Sequence, residues 1–155
     1  VLPTEIPHCG TGFYMEEDDP VRKDGKWYRT WKKAMLPKNE LRAHIKDRRQ
    51  KAEAVGVTVD GVRYNSDDKA LNRYNSIMFE IMLLNDNVLK TWTVDVVTFD
   101  NTVRTLTAAE FRKVFLAVRN HQQHAMDRQQ ELLAAIDNAD EATIADLKFG
   151  EGWPG

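Results

Sequence analysis

The sequence predicts an α+β fold, and three observations carry that prediction. Val57-Thr58-Val59 and Val62-Arg63-Tyr64 flank Asp60-Gly61, the dipeptide that most readily closes a two-residue type I′ hairpin. A second pair of strand-forming runs, Thr91 to Phe99 and Thr102 to Leu106, brackets the turn formers Asp100-Asn101. Each pair leads directly into a helix signature. Asn65 and Ser66 supply cap oxygens and Asp67 and Asp68 supply first-turn charge after the first pair, and Thr107-Ala108-Ala109-Glu110 is a capping box after the second. The expected architecture is an N-terminal extended arm and small aromatic hairpin, a charged linking helix, and a C-terminal body of two β-hairpin-then-helix units with a long final helix. The boundaries fall at residues 1–37, 38–55 and 56–149, with a tail at 150–155.

In chain order, the first twenty residues hold Pro3, Pro7, Gly10, Gly12 and Pro20 and the acidic run Glu16-Glu17-Asp18-Asp19. Missing donors and added backbone entropy predict an extended arm with little regular structure. Ile6, Phe13, Tyr14 and Met15 are apolar anchors that fit an arm ordering on a partner; a frayed terminus is the alternative. Asp24-Gly25 then turns the chain into Trp27-Tyr28-Arg29-Thr30-Trp31, a strand whose period-2 face carries both tryptophans and the arginine. Such a strip can stack single-stranded nucleic acid, but aromatic strand faces are more often core or protein interface, and the formal net charge of −2 gives no attraction to phosphate. No nucleic-acid partner is expected.

Residues 38–55 form a helix by composition, with Asn39 as cap and Gly56 as terminating residue. Its apolar stripe is only Leu41, Ile45 and Ala52, and its charges alternate in sign, so it reads as a linking, mostly solvated helix. The helix after the first hairpin is expected over 66–85. Leu71, Tyr74, Ile77, Met78, Ile81 and Leu84 make one stripe, and Phe79 and Met82 lie off it, widening the apolar surface towards a second contact. The long final helix reaches Ile136 with Phe111, Val114, Phe115, Val118, Ala125, Leu132 and Ile136 on one face. His121, Gln122 and Gln129 interrupt that face where a simple core places leucine. A short last helix is expected around Ala142, Ile144, Ala145 and Leu147.

The chain offers little that carries chemistry. His121 and His124 stand three apart with Asp127 three further on, a spacing that suits a metal, but no other element supplies an evident further ligand. A polar layer inside a helical interface accounts for them better, and neither a metal nor a cofactor is expected. No glycine-rich phosphate loop, nucleophile elbow or paired-histidine zinc motif is present. Cys9 has no basic neighbour or helix start nearby to activate it, and a single cysteine excludes an internal disulfide. No apolar run approaches the roughly 18–20 residues of a membrane span, and the opening residues lack the order of a secretory signal. A non-enzymatic protein with no membrane partner is the reading these observations support. Its contact residues are expected at Trp27, Trp31, Tyr74, Met78 and Phe79.

The stretch from Gly56 to Leu147 resembles a family of unknown biochemical function, found in small proteins encoded near the tail-fibre genes of tailed bacteriophages. The likeness lies in Gly56 to Tyr64, Ser66-Asp67, Thr105 to Phe111 and Glu131 to Asp137, with a weaker extension to Asp24-Gly25-Lys26-Trp27-Tyr28-Arg29-Thr30-Trp31. Departures are the longer segment Val94 to Arg104 and the richly apolar first body helix. The resemblance implies a structural virion protein that attaches a tail fibre or baseplate component, within a symmetric assembly that includes copies of itself. Its location would be the virion tail, and the host cytoplasm during assembly. The alternatives are a tail-fibre assembly chaperone absent from the mature virion, and a metal protein or enzyme using His121 and His124.

Overall fold

The structure is a computed structural model that describes residues 1–10 and 12–155, the side chains of residues 141 and 145 aside, so that the expectation for the Ala145 side chain lies outside it. The elements are β1 (Phe13–Lys23), β2 (Lys26–Met35), α1 (Lys38–Glu53), β3 (Val57–Val59), β4 (Val62–Tyr64), α2 (Asp68–Leu83), α3 (Asp86–Leu89), β5 (Thr93–Val97), β6 (Val103–Thr107), α4 (Ala108–Asn138) and α5 (Glu141–Ala145). The fold is α+β, as the sequence predicts. The chain divides into one unit of Val1–Lys46 with Glu131–Glu151 and another of Asp47–Gln130 with Gly152–Gly155, so that α1 and α4 each contribute to both.

In the first unit, Asp24 (φ 50) and Gly25 (φ 76) close the turn between β1 and β2 with both residues left-handed, as a type I′ turn requires. Here the expected arm is corrected: regular strand begins at Phe13, well before Pro20. The acidic run is the complement of a basic strand. Glu16 lies opposite Lys32 and Glu17 opposite Trp31, and Arg29 reaches Glu17 at 3.1 Å. Such cross-strand pairs offset the poor strand propensity of acidic residues. The register shifts between Asp18 and Val21, around Pro20, which has no N–H to give a ladder. Residues before the hairpin bond to the other edge of β2: Leu2 N donates to Trp27 O at 2.7 Å and Thr4 Oγ1 donates to Arg29 O at 2.6 Å. Among the described residues, Leu41, Ile45, Leu132, Ile136, Ile144 and Phe149 are the buried apolar side chains of this unit.

In the second unit, Asp60 (φ 50) and Gly61 (φ 79) form the predicted turn, and Val59 pairs with Val62. Helix α2 starts two residues later than expected because the intended caps are otherwise engaged. Ser66 Oγ donates to Glu53 O and accepts from Gly56 N, while Asn65 Nδ2 donates to Thr98 O. Asp67 caps instead, accepting from Ala70 N at 2.8 Å. The helix also ends early, since Asn85 turns to cap α3. The second hairpin, β5 with β6, carries the capping box as written: Glu110 N donates to Thr107 Oγ1 and Thr107 N donates to Glu110 Oε2, at 3.3 and 2.8 Å. The two hairpins meet where Tyr64 bridges Thr98 and Phe99 N donates to Arg63 O at 2.9 Å. The core beneath them comprises Val59, Tyr64, Tyr74, Ile81, Val96, Leu106, Phe111, Val114, Phe115 and Val118, with Ala108 at the helix start.

Gly56 follows α1 at φ +85, and an added Cβ would lie 2.8 Å from Arg63 Nε, 2.8 Å from Phe99 Cδ2 and 3.0 Å from the Tyr64 carbonyl. Arg63 is itself fixed, stacked 3.9 Å over the Phe99 ring and donating to Val55 O. Gly56→Ala is therefore expected to cost more than the ~1–2 kcal/mol of left-handed backbone alone, because a backbone oxygen stands in the way. Thermal denaturation of the variant measures this; a loss of a few tenths of a kcal/mol would contradict the packing described.

Candidate functional site

Helix α2 has two apolar faces. The inner one buries Tyr74 and Ile81, with Ala70, Leu71, Ile77 and Met78 partly covered against the core. The outer one carries Phe79, Met82 and Leu83, which are 63, 75 and 71% exposed. These three sit at i, i+3 and i+4, so they form a single patch on the helix surface. Asn72, Asn75 and Ser76 continue it towards the helix start without adding charge. Isolated exposed apolar residues are ordinary, but a contiguous group of three large ones on a helix is the usual mark of a contact surface.

The residues expected to make contacts separate accordingly. Phe79 belongs to the patch. Tyr74 does not: it is 2% exposed and packs edge-on against Phe111, with ring centroids 5.8 Å apart, so its ring belongs to the core. Met78 is partly buried against the same core. Trp27 and Trp31 lie on β2 of the other unit, Trp27 half-exposed and Trp31 half-buried, donating from Nε1 to Thr4 Oγ1 at 3.2 Å. Arg29 between them is paired with Glu17. Leu83 is not among the expected contacts, although its four-residue spacing from Phe79 places it on the same face.

The polar interruption of α4 bonds to the end of α1 and to the segment ahead of α2. His121 Nε2 lies 2.8 Å from Ala52 O, and Gln122 Nε2 donates to Ser66 O at 2.9 Å. Gln129 Oε1 accepts from Arg49 Nε at 2.8 Å, and Arg49 Nη1 pairs with Glu53 Oε1 at 2.5 Å. Helix C-termini leave carbonyls without intrahelical donors. His121 meets that need at Ala52 O, whereas Gln122 serves the Ser66 carbonyl ahead of α2 and Gln129 the Arg49 side chain, so each of these polar residues has a partner that leucine could not supply. Burial pushes the Glu53 carboxyl above its ordinary value, and the Arg49 hydrogen bond and charge pull it back only in part. His124 is exposed, and among the described residues no three His, Cys, Asp or Glu side chains are grouped to hold a metal ion.

Two depressions flank this region. One, of about 440 Å³, is lined by Gly56, Thr58, Arg63 and His121 among others, and its Arg63 and His121 side chains are already engaged with Val55 O and Ala52 O. The other, of about 310 Å³, lies between the first turns of α2 and strand β5, with Asn65, Asp67, Lys69, Arg73 and Tyr74 on its wall. Among the described residues no helix is long and apolar enough to cross a membrane.

Fold and surface together define a small α+β protein built of hairpin-then-helix units, with a solvent-facing apolar helix flank. The chain belongs to the family described as "domain of unknown function (DUF4376)", whose model matches residues 37–149. The matched stretch begins at α1 and so includes the helix that its composition alone sets apart as a linker. No curated protein and no solved structure matches the chain.

Proposed function

We propose that the protein is a non-catalytic binding component of a bacteriophage tail, which holds a tail-fibre or baseplate protein against the outer face of α2. The observation that carries the binding role is the patch Phe79, Met82 and Leu83, large apolar side chains left in water by a helix whose other face already fills the core. Leaving them exposed serves no folding purpose; burying them on a partner gains roughly 1.5–3 kcal/mol for each side chain fully covered. The tail assignment rests on the resemblance of the hairpin, capping-box and long-helix segments to proteins encoded beside tail-fibre genes. The engagement of His121 with a backbone carbonyl supports the non-catalytic reading over one built on His121 and His124.

Phe79→Asp and Met82→Asp are expected to abolish co-purification of the tail protein while leaving the melting temperature within a few degrees, because neither side chain contributes to the core. Loss of folding in both, or partner recovery unchanged in both, overturns the assignment of this face. Mass spectrometry of purified virions tests the location. Near-stoichiometric presence with the fibre is expected; absence from the particle replaces the virion role with the assembly-chaperone role.

A further inference from the structure

We propose that the groove between the first two turns of α2 and strand β5 is a carboxylate-binding site, in which Arg73, Lys69 and the Tyr74 hydroxyl receive a carboxylate presented by a peptide. The site lies at a different part of α2 from the apolar patch and does not depend on it.

The first observation is Tyr74. Its side chain is 2% exposed, lines the groove, and its hydroxyl makes no hydrogen bond among the described residues. No described side-chain nitrogen or oxygen is fully enclosed without a partner. The small exposed part of Tyr74 therefore includes the hydroxyl, and Tyr74 is one of the residues that line the groove. A phenol otherwise embedded in core has every reason to be phenylalanine unless something accepts its proton. Burial pushes the phenol up to about 12, although the Arg73 charge acts in the opposite direction, so it remains a donor at any physiological pH.

The second observation is the pair of cations. Lys69 and Arg73 stand at i, i+4, and neither makes an ion pair or hydrogen bond among the described residues. Like charges at that spacing repel, and cations in the first two turns oppose the helix dipole. Both costs vanish when an anion sits between them. The dipole itself is already answered by Asp67, whose Oδ1 accepts from Ala70 N, so the helix start is not the receptor here. The receptor is the side-chain set one turn further on.

The chemistry of the wall selects the anion. Two cations and the Asp67 carboxylate leave one net positive charge in the groove. That balance suits a monoanion and disfavours a phosphate dianion, which would face Asp67 directly. The guanidinium of Arg73 matches a carboxylate with two parallel bonds, and Tyr74 adds a neutral donor. Ala70, Val96 and Val97 supply an apolar floor for the carbon atoms beside the carboxylate. A peptide offers such a group from its chain terminus or from an Asp or Glu side chain.

The test uses the full chain labelled with ¹⁵N and followed by amide chemical shifts. N-acetylvaline carries a terminal carboxylate, N-acetylglutamic acid α-amide a side-chain carboxylate, and N-acetylvalinamide neither; inorganic phosphate is titrated at matched ionic strength. At least one acid is expected to give saturable shifts at Lys69, Ala70 and Arg73, the amide none, and phosphate weaker ones; the tighter acid identifies the source. Tyr74→Phe is expected to weaken that acid about tenfold or more, with the melting temperature unchanged, and Arg73→Gln at least as much. The proposal is overturned if amide and acid behave alike, if phosphate binds as tightly, or if Tyr74→Phe leaves affinity intact. A substantial loss of stability in Tyr74→Phe would also overturn it, by showing that the hydroxyl already has a partner in the fold.

Discussion

Phe111→Ala is expected to lower the free energy of unfolding by about 3–5 kcal/mol, a large share of what a domain of this size possesses. Phe111 is fully buried, and its ring meets Tyr74 edge-to-face at an interplanar angle of 83°. Truncation removes the transfer energy of the ring, the aromatic pair, and the wall against which Tyr74, Val114 and Phe115 pack. Relaxation has little room to recover the loss, because Phe111 lies in the first turn of α4, where the capping box fixes the direction of the chain. Leu116→Ala on the same helix is the control: Leu116 is 53% exposed and its loss is expected to fall within about half a kcal/mol. Urea denaturation of the two variants checks both numbers, and equal destabilisation would mean that α4 does not present the face described.

The contrast between Phe111 and Leu116 is legible in the amino-acid order alone, because helix periodicity and the capping box each encode it locally. The same holds for Asp24-Gly25 and Asp60-Gly61, whose positive backbone angles follow from residue type. Pairing between distant segments is not legible in that way. Glu16 to Asp18 lack strand propensity and become a strand because Arg29 and Lys32 lie across from them. Ser66 reads as a cap because capping is judged within four residues, and it bonds instead to Glu53, thirteen residues earlier. Of the α4 residues read as a polar layer inside a helical interface, His121 is half-buried but His124 and Asp127 are exposed, and the partners that explain His121 and Gln122 are the backbone carbonyls of Ala52 and Ser66, far away in the chain. Of the candidate surface, Phe79 and Met82 stand out by lying off the apolar stripe. Tyr74 lies on that stripe, and burial is what position on a stripe usually means. The groove leaves no motif at all: Lys69, Arg73 and Tyr74 form a set only once β5 lies beside them.

Arg49→Ala is expected to cost about 2–4 kcal/mol, and Arg49→Ala combined with Glu53→Gln to recover at least half of it. The carboxylate of Glu53 is 5% exposed and the guanidinium of Arg49 14% exposed, so removing the cation leaves a buried anion without its counter-charge. The double variant loses the same contact to Gln129 but no longer holds that anion, so the difference isolates the charge. The pH dependence supplies an independent sign. Because burial raises Glu53 above its unfolded value of 4.5, the folded state holds this proton more tightly than the unfolded one. Stability from this group is therefore greatest below that value and declines as pH rises towards the folded pKa. Asp100 and Glu110, depressed by hydrogen bonds from Thr98 and Thr102 and from Thr107, act with the opposite sign, losing their contribution as pH falls. Arg49→Ala should raise Glu53 further and carry the decline to higher pH, whereas Glu53→Gln should remove it. Unfolding free energies measured from about pH 4 to 8 for the wild type and these variants decide the matter (a window on the scale of ordinary carboxylate shifts). Parallel curves would mean that burial does not hold the Glu53 carboxyl above its ordinary value.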